Sequence, residues 1–503
     1  MHEAGTNHSK YALPVYMQHD QDSSDFLPPL SRTTVRNLLE EYEDALASGS
    51  PLAIAIDEVS MLDAITFGRI LKRVEEFESD YFETTPPRLF ILVGNFCFMS
   101  DLLYTVHLIH FFVFTGDFFQ IPPCRSTPLY STVLDNALFK KPSYPGGPED
   151  YGQRFFSEFQ LFRLDKQYRS IDEVHSGNLS SLRSLNPAVY PFTKALLAQY
   201  KFLQAADVIA DPEWLIAPVV CLFNQERHAL NVEALKVFSK AAGFPIISWR
   251  NALHGTSASL LTAAESNLLF GTHPALSGFF VPGCPAYGRV NHNTGLGLYN
   301  GSKMILHSLT LDKIEDRLAL NNKIRSALPG DVVVLQHPPY SVQVELVKSQ
   351  SDTFSSEDSL VPGSFVVPLM VDKKSNHEVV RQWELLQRNG KTISSIKYRS
   401  HPYDIGFAIT YEKTQSKSFK RLILDLQQWP KMSLTAEKVL VGLSRVETLE
   451  HLRILPYGPS QNLNHLYYLK PNELMLHWMA GFNESGFWSV QGSAQSIQKH
   501  PLA

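Results

Sequence analysis

The sequence is poor in cysteine: its 503 residues hold only four, and no two of them form a C-x-x-C pair. This spacing excludes a disulfide scaffold and argues against a structural zinc site, so a reduced intracellular protein is indicated. The N-terminal stretch MHEAGTNHSKYALPVYMQHD lacks a basic region followed by an apolar core, and no secretory signal is therefore visible. A cytosolic or nuclear address is the default expectation.

Charge is scarce as well. Charged residues make up 19% of the chain and the formal net charge is -5, which excludes a uniformly basic surface. Any contact with nucleic acid must therefore use a local patch. The length is sufficient for about two to four domains with sizeable cores, because a domain usually holds roughly 100 to 200 residues.

Two short apolar runs, each followed by polar side chains, are present near the N-terminus. Residues 53–56 in PLAIAIDEVSML and 112–115 in FVFTGDFFQIPP predict buried parallel strands, and residues 63–80 between them predict an amphipathic helix. Strand, helix and strand in this order predict an α/β domain. Ligands bind beyond the carboxyl ends of such strands, so we expect four side chains at the ligand edge: Asp57, Glu58, Asp117 and Gln120.

The rest of the chain alternates between segments with helical patterns and segments with strand patterns. Helices are predicted at residues 32–48, 171–185 and 226–243, and proline and glycine at residues 140–152 indicate a domain boundary. From about residue 275 short strands and turns predict a small β insertion, and α/β character returns at residues 406–456. No clear pattern is seen after residue 456, and no internal repeat is found.

The Asp57-Glu58 pair is a weak signal alone, although phosphoryl transfer needs one carboxylate for magnesium and another to orient or deprotonate water. The stretch GDFFQIPP, residues 116–123, is far more specific because it fixes eight positions. LDKQYRS, residues 164–170, AITYEKTQS, residues 408–416, and VGLSRVETLEHLRIL, residues 441–455, follow in order. Together these segments resemble the Pif and RecD group of superfamily-one DNA helicases over roughly residues 5–456.

The resemblance implies an α/β fold with two RecA-like domains, each a parallel sheet flanked by helices, and a small SH3-like β insertion in the second. On this basis residues 1–139 form part of the first RecA-like domain, and residues 140–160 form a linker. Residues 161–275 and 404–456 form the second domain, residues 276–403 the insertion, and residues 457–503 a C-terminal tail.

The same resemblance implies ATP and Mg²⁺ as cofactors and assigns roles to five residues. Asp57 and Glu58 match the Walker B pair, so Asp57 is expected at the magnesium ion and Glu58 at the attacking water. Gln120 matches the glutamine that senses the γ-phosphate. Arg169 and Arg445 match the arginines that reach the γ-phosphate from the second domain, a task that suits a planar, permanently charged fork.

Single-stranded and duplex DNA are the implied partners, with 5′ to 3′ movement, a role in DNA repair, recombination or telomere maintenance, and a nuclear or mitochondrial location. The cations in KTQSKSFKR, residues 413–421, resemble the segment that tracks the single strand, although most lysine clusters are solvated faces. The residues assigned to DNA are Thr410, Lys413, Gln415 and Lys417. Asn300-Gly301 matches a family turn, but any hairpin could use this pair, so we assign it structure.

One departure from the family concerns the phosphate-binding loop. The chain contains no G-x-x-x-x-G-K-[ST] motif, and GTNHSK, residues 5–10, resembles instead a G-x-T-x-H-S segment that lies after that loop. We therefore expect the chain to begin downstream of its nucleotide cradle. An alternative to an active helicase is a catalytically inactive remnant that at most binds single-stranded DNA.

Other departures lie at residues 89–112 and around residue 412. The apolar stretch at 89–112 is long enough for a membrane span, but Asp101 would cost about 2.5–3.5 kcal/mol at mid-bilayer. We therefore expect a core-packed helix or a retained insertion, and a membrane anchor is the less favoured hypothesis. Glu412 stands where the family has histidine, and Ser416 where it has glycine. A carboxylate beside a phosphate backbone is repulsive, so coupling to the strand is expected to suffer.

Overall fold

The computed structural model describes residues 53–502 apart from several gaps: 82–87, 95–109, 124–125, 132, 135–145, 158, 164–167, 291–297, 348–359, 362–363, 372–377, 389–390, 429–433 and 458–461. In front of residue 53 only Arg36 and Glu40 are described, and both are helical. The rest of the helix predicted at 32–48, and the GTNHSK segment, lie outside the described residues. The chain forms two compact units. The first comprises Met1–Gln199, Ser433–Ser444 and Asn462–Ala503, and the second Tyr200–Met432 and Arg445–Gln461.

The strands of the described chain, in order, are β1 Ala53–Ile56, β2 Arg88–Gly94, β3 His110–Thr115, β4 Gln160–Arg163, β5 Val219–Cys221, β6 Ile246–Arg250, β7 Ala252–His254, β8 Ser277–Phe280, β9 Pro285–Gly288, β10 Lys303–Thr310, β11 Val332–Val334, β12 Ser341–Leu346, β13 Val366–Met370, β14 Glu378–Arg388, β15 Lys391–Arg399, β16 Tyr403–Ile405, β17 Ala408–Thr410, β18 Leu422–Leu424 and β19 Leu452–Ile454. The helices are α1 Ala64–Tyr81, α2 Pro148–Ser157, α3 Glu173–Ser181, α4 Lys194–Leu197, α5 Ala205–Ala210, α6 Asn224–Ala242, α7 Thr256–Ser259, α8 Ala263–Thr272, α9 Arg317–Ser326, α10 Tyr411–Thr414, α11 Ala436–Leu443, α12 Glu473–Met479 and α13 Val490–Lys499.

A four-stranded parallel sheet organises the first unit, in the order β1, β3, β2, β4. The strands predicted at 53–56 and 112–115 are confirmed as β1 and β3, which are direct neighbours in this sheet. The helix predicted at 63–80 is confirmed as α1, and it begins after Asp63, whose carboxylate accepts a hydrogen bond from the amide of Thr66 at 2.7 Å. The carboxyl ends of β1 and β3 therefore meet at one edge of the sheet.

The prediction of a helix at residues 89–112 is wrong for the part of this stretch that the structure describes. Its first residues belong to β2, which pairs with β3 on one side and β4 on the other, and its last residues belong to β3. A short apolar run suits a strand paired on both sides as well as it suits a buried helix, so periodicity alone could not distinguish them. Residues 95–109 lie outside the description. Within the part of the chain that the structure describes, no helix has the length and apolar character needed to span a membrane.

Helices α1 and α2 approach each other through two glycines. A Cβ added to Gly68 would lie 1.8 Å from the carbonyl oxygen of Pro148, and one added to Gly152 would lie 2.2 Å from that of Ala64. Beside this crossing the centre of the Phe67 ring lies 6.0 Å from the ring centres of Phe156 and Phe159. The absence of a side chain thus lets two helix backbones touch.

Gly68→Ala is expected to lower the free energy of unfolding by about 1–3 kcal/mol or more, because the new methyl group meets backbone that cannot rotate away. Gly177→Ala is the matched control, since a Cβ at that position in α3 meets nothing within 4 Å. In a helix this control is expected to stabilise by about 0.5–1 kcal/mol. Chemical denaturation of both variants measures the difference, and equal stabilities would contradict the packing described here.

The C-terminal segment, which showed no pattern in the sequence, forms helices α12 and α13 and groups with the first unit. Trp478 of α12 is fully buried, and its ring stacks on Phe156 at 5.3 Å. It also meets the ring of Phe118, from the GDFFQIPP stretch, at 4.8 Å. The tail therefore supplies the apolar surface against which that stretch packs.

A second parallel sheet, in the order β17, β5, β18, β19, belongs to the second unit. Helix α6, predicted at 226–243, is confirmed and ends at Gly243, whose φ of 77° favours glycine. The Asn231 side chain of α6 accepts a hydrogen bond from the amide of Ala408 at 2.8 Å, which fastens the helix to β17. This strand leads directly into α10 and the AITYEKTQS stretch.

The β-rich part of the second unit contains a five-stranded antiparallel sheet in the order β13, β12, β10, β9, β16. Two three-stranded sheets accompany it, β11-β6-β8 and β14-β15-β7. The likeness of this region to an SH3 fold stays a prediction, as do the predicted domain limits. Residues 161–199 group with the first unit, although the sequence analysis placed them in the second RecA-like domain.

Candidate functional site

The carboxylate of Asp57 joins the ends of two neighbouring strands. Asp57 is exposed directly after β1, and its Oδ1 accepts a hydrogen bond from the amide of Glu58 at 2.8 Å. The same oxygen accepts a hydrogen bond from the hydroxyl of Thr115, the last residue of β3. The predicted juxtaposition of the two strand ends is thus present in the structure, and Asp57 remains accessible from solvent.

Glu58 has a left-handed backbone, with φ 56° and ψ 39°. This conformation is uncommon for residues other than glycine, and such strain is often found at functional sites. A 3₁₀ turn, Val59–Met61, follows at once. Gly116 lets this turn come close, because a Cβ there would lie 3.0 Å from the amide nitrogen of Ser60. The two motifs therefore depend on each other for their backbone shape.

Gln120 is oriented by the first acid of its own motif. Its Nε2 donates to Asp117 Oδ2 at 3.2 Å, and its amide donates to the Asp117 carbonyl at 2.9 Å. Its Oε1 is buried and has no hydrogen-bond partner among the described residues. A buried acceptor of this kind calls for a partner such as water or a ligand group. The geometry therefore suits a glutamine whose side-chain oxygen accepts a hydrogen bond from a bound water or ligand.

Asp117 is buried, and its carboxylate faces protein rather than the open edge predicted for it. Arg183, just after α3, donates to Oδ2 through Nη2 at 2.8 Å and Nε at 3.2 Å. Burial tends to raise the pKa of Asp117, but the charge and hydrogen bonds of Arg183, with those of Gln120 and the Phe119 amide, outweigh it and lower the pKa. Asp117 is therefore an anchor for the motif. The sequence analysis missed Arg183, which belongs to no motif.

Arg169 lies in the same compact unit as Glu58, whereas the resemblance implied a contribution from the second domain. It is half-buried, and its Nη1 donates to the carbonyl of Ser444 at 3.2 Å. Burial lowers the pKa of Arg169; the charge of Arg183 adds to this, and the carboxylates of Glu58 and Asp117 oppose it. The structure thus brings Arg169 and Glu58 within electrostatic range of each other.

Arg445 belongs to the second unit and is 1% exposed. Its carbonyl accepts a hydrogen bond from the amide of Phe419 at 2.9 Å, so its backbone is tied to the segment that follows α10. Its role at a nucleotide stays a prediction.

The donor set at the edge of the first sheet fits a magnesium ion that shares its shell with phosphate. Mg²⁺ is usually held by one or two carboxylates together with substrate oxygens and water, and Asp57 is accessible for this while Glu58 is adjacent. Among the described residues no group of three or more histidine, cysteine, aspartate or glutamate side chains is placed to hold a metal by itself. The residues present therefore suit a metal that arrives with a nucleotide.

The predicted DNA-binding segment lies in and beyond α10. Thr410 and Gln415 are each 6% exposed, so both contribute to the interior. Lys413 lies 3.6 Å from the carboxylate of Asp404, which also pairs with Arg227. Burial tends to raise the pKa of Asp404, but Arg227, then Arg289 and Lys413, outweigh it and hold that pKa far below its usual range. The ion pairs of the buried Asp404 therefore hold the start of the predicted DNA-binding segment in place.

Two further cations of the KTQSKSFKR stretch are paired with acidic residues. Lys420 pairs with Glu213, and Arg421 pairs with Asp211 at 2.9 Å. The stretch is therefore less basic than its sequence suggests. Lys417 is different, because its Nζ donates to the carbonyl oxygen of Gly301.

Ser416 explains one of the departures seen in the sequence. Its φ is 61°, in the left-handed region that favours glycine. The related pattern has glycine at this position, so the serine retains the backbone shape at some cost in strain. The turn after α10 is therefore preserved despite the substitution.

No family model matches the chain, and no curated protein matches it significantly. Solved structures do. The chain is similar to Bacteroides Pif1 bound to single-stranded DNA, with 15% identity, a TM-score of 0.51 and coverage of 96% of this chain and 84% of that one. A structure of two coordinating Pif1 helicases at forked double-stranded DNA gives the same values. A Candida albicans Pif1 helicase is 13% identical with a TM-score of 0.44, covering 88% of this chain and 80% of that chain.

At these identities the similarity establishes the fold. It confirms the predicted α/β architecture with two RecA-like domains, and it agrees with the two parallel sheets, one in each compact unit. The resemblance to Pif helicases noted in the sequence is thereby confirmed at the level of the fold.

Proposed function

We propose that this chain, which has the fold of the Pif1 helicases, is an ATP-dependent DNA helicase that couples ATP hydrolysis to movement on single-stranded DNA and to duplex unwinding. One arrangement carries the proposal: Asp57 and Glu58 at the end of β1 lie beside the Gly116–Gln120 turn at the end of β3, with Arg169 in electrostatic range of Glu58. Such a set of groups is suited to phosphoryl transfer, in which positioning and charge stabilisation dominate.

Each residue then has a chemical task. Asp57 would hold Mg²⁺, which neutralises charge on the phosphates when it is bound. Glu58 accepts a proton from the attacking water, and its left-handed backbone sets the direction of its side chain. The Oε1 of Gln120, which has no hydrogen-bond partner among the described residues, is available to accept a hydrogen bond from the attacking water. Arg169, with Arg445 by resemblance, supplies positive charge where negative charge develops.

Single-stranded and duplex DNA are the proposed partners, and two observations support them. The structures with TM-scores of 0.51 are of Pif1 proteins studied with single-stranded DNA or forked duplex. In addition, Lys417 lies in the second unit without a carboxylate partner among the described residues. Movement from 5′ to 3′, a role in repair, recombination or telomere maintenance, and a nuclear or mitochondrial location belong to the same proposal.

The test is hydrolysis of ATP by the purified 503-residue chain, measured with and without single-stranded DNA. We expect ATP turnover that requires Mg²⁺ and rises when single-stranded DNA is added, because the proposed enzyme couples ATP hydrolysis to movement along the strand. Turnover that is absent in every condition, with intact folding by circular dichroism, would overturn the enzymatic proposal for this chain.

A second candidate is a non-catalytic protein that binds single-stranded DNA. The observation that favours it is the absence of a G-x-x-x-x-G-K-[ST] motif from the 503 residues. Titration with a fluorescent ATP analogue separates the two candidates. Saturable binding supports the enzyme, whereas DNA binding without any nucleotide binding supports the non-catalytic protein.

A further inference from the structure

An open groove of about 650 Å³ lies in the second unit, where the end of β6, strand β7 and helices α7 and α8 meet. Arg250, the last residue of β6, and Ala263, the first residue of α8, both line it and are exposed, so a ligand can enter from solvent. The volume lies in the range of about 300–1,000 Å³ that is usual for ligand sites. None of the lining residues belongs to a segment that resembles a helicase motif.

The polar lining of the groove favours an anion. Among the residues that the structure describes, Arg250 and His254 line the groove and no carboxylate does. Glu265, the one acid in the sequence of α8, is not part of the lining. Its Oε2 accepts hydrogen bonds from the amide of Thr262 at 2.8 Å and from the Thr262 hydroxyl at 2.7 Å. The groove is therefore electrically unbalanced toward positive charge.

Arg250 is held in place without being neutralised. Its Nη1 donates to Asn267 Oδ1 at 2.7 Å, and its guanidinium carbon lies 4.8 Å from the centre of the Phe270 ring. No carboxylate pairs with Arg250 among the described residues. One of its five N–H donors is thus used, and the others are available in a fixed planar fork. Such a fork matches two oxygens of a phosphate group.

Strand β15 brings two further cations close to the groove. Lys397 lies directly opposite His254 and Arg399 directly opposite Ala252 in the antiparallel pair β15–β7. Side chains of opposite residues lie on the same face of the sheet, with Cβ atoms roughly 5 Å apart. Burial lowers the pKa of His254, and the charges of Arg399 and Lys397 add to this. The imidazole Nε2 is also buried without a hydrogen-bond partner in the described structure.

We propose that this groove binds a phosphodiester group of single-stranded DNA, with the Arg250 guanidinium as its principal ligand and Lys397 and Arg399 as the source of the surrounding positive potential. A strand suits the groove because its lining is largely exposed, so that the ligand can continue beyond it in both directions. The inference rests on the proposed function and adds to it a phosphate contact outside the helicase motifs.

An acidic substitution that preserves the helix tests the groove directly. Ala263→Glu places a carboxylate in the lining, and an acid in the first turn of a helix is favourable for the helix itself. We expect the Kd for a fluorescent oligothymidine at low salt, without nucleotide, to rise about fivefold, the effect of one like-charge contact in water. Ala205→Glu makes the same change at the exposed first residue of α5 and is expected to bind like the wild type.

The salt dependence of binding tests the role of Arg250. Each phosphate contact on a single strand contributes about 0.7 to the slope of log Kd against log salt. Arg250→Gln is expected to lower this slope by about 0.7. Arg325→Gln, at an exposed position of α9, is the matched control and is expected to keep the full slope. If Arg250→Gln does not fold, the comparison of the two acidic variants decides alone.

Failure of the groove and failure of the proposed function give different results. If the wild-type chain binds the oligothymidine, equal affinities of Ala263→Glu and Ala205→Glu, or a full slope in a folded Arg250→Gln, overturn the groove and leave the helicase proposal intact. If the expected differences are found but the wild type never hydrolyses ATP, the groove stands and the helicase proposal fails. A wild-type chain that binds no oligothymidine overturns both.

Discussion

Replacing Glu58 with glutamine is expected to lower single-strand-stimulated ATP turnover by about 100- to 10,000-fold, the range typical for loss of a general base. Glutamine keeps the shape of the side chain but cannot accept a proton. The left-handed backbone of residue 58 belongs to the turn that contacts Gly116, so the substitution should leave the local structure intact. The measurement is kcat at saturating ATP and saturating single-stranded DNA.

Nucleotide affinity provides the internal control for this variant. We expect the Kd of an ATP analogue to change little in Glu58→Gln, because the role assigned to Glu58 is in the chemical step. Glu484→Gln makes the same chemical change at an exposed position of the first unit and should turn over ATP like the wild type. Undiminished turnover in Glu58→Gln would show that another group activates water.

Separating the Asp117–Arg183 pair is expected to have the largest effect on stability. Both partners are largely buried, with side chains 5% and 17% exposed, and Arg183 donates two hydrogen bonds to one carboxylate oxygen. Arg183→Met leaves a buried carboxylate without its counter-ion, which typically costs about 3–5 kcal/mol. The effect is measured as the free energy of unfolding in urea.

Lys194→Met is the matched control for this variant, because it removes an exposed cation of the same unit. Surface substitutions of this kind usually stay within about 0.5 kcal/mol of wild type. Equal stability of Arg183→Met and Lys194→Met would mean that the pair contributes nothing to the fold.

The same pair predicts a pH dependence with a definite sign. The pKa of Asp117 is lower in the folded state than its ordinary value of about 3.9. Its stabilising contribution is therefore fully present above the unfolded pKa and is lost as the pH falls through the lower folded pKa. Asp117→Asn is expected to be less stable at neutral pH and to lose this part of the acid dependence, which unfolding measured between pH 6 and pH 2 would reveal.

The predictable part of the fold consisted of elements with strong local patterns. Strands β1 and β3 were predicted because small and β-branched or aromatic residues end abruptly at polar ones, and α1 because its apolar residues recur at helical intervals. The helix expected at 89–112 was wrong where described. Its apolar run lies in a strand with partners on both sides, a circumstance that depends on residues distant in the chain.

The candidate site divides in a similar way. Motif order identified Asp57, Glu58, Gln120 and Arg169, and the structure places Asp57 and Glu58 beside the Gln120 turn, with Arg169 in electrostatic range of Glu58. Arg183 could not be identified because a single arginine after a helix carries no pattern. The contacts of Lys303 with Ser418 and Phe419 could not be predicted either, since they join residues more than a hundred positions apart.

By itself, the sequence determined strands β1 and β3 and helices α1 and α6 of an α/β protein, because hydrophobic periodicity and short motifs are local properties. Tertiary structure alone decided that Asp117 is an anchor rather than a ligand, that Trp478 of the C-terminal segment packs on Phe118, and that Lys303 meets the segment after α10. The physical reason is that burial and ion pairing depend on which distant side chains come within a few ångströms, and no local pattern records that distance.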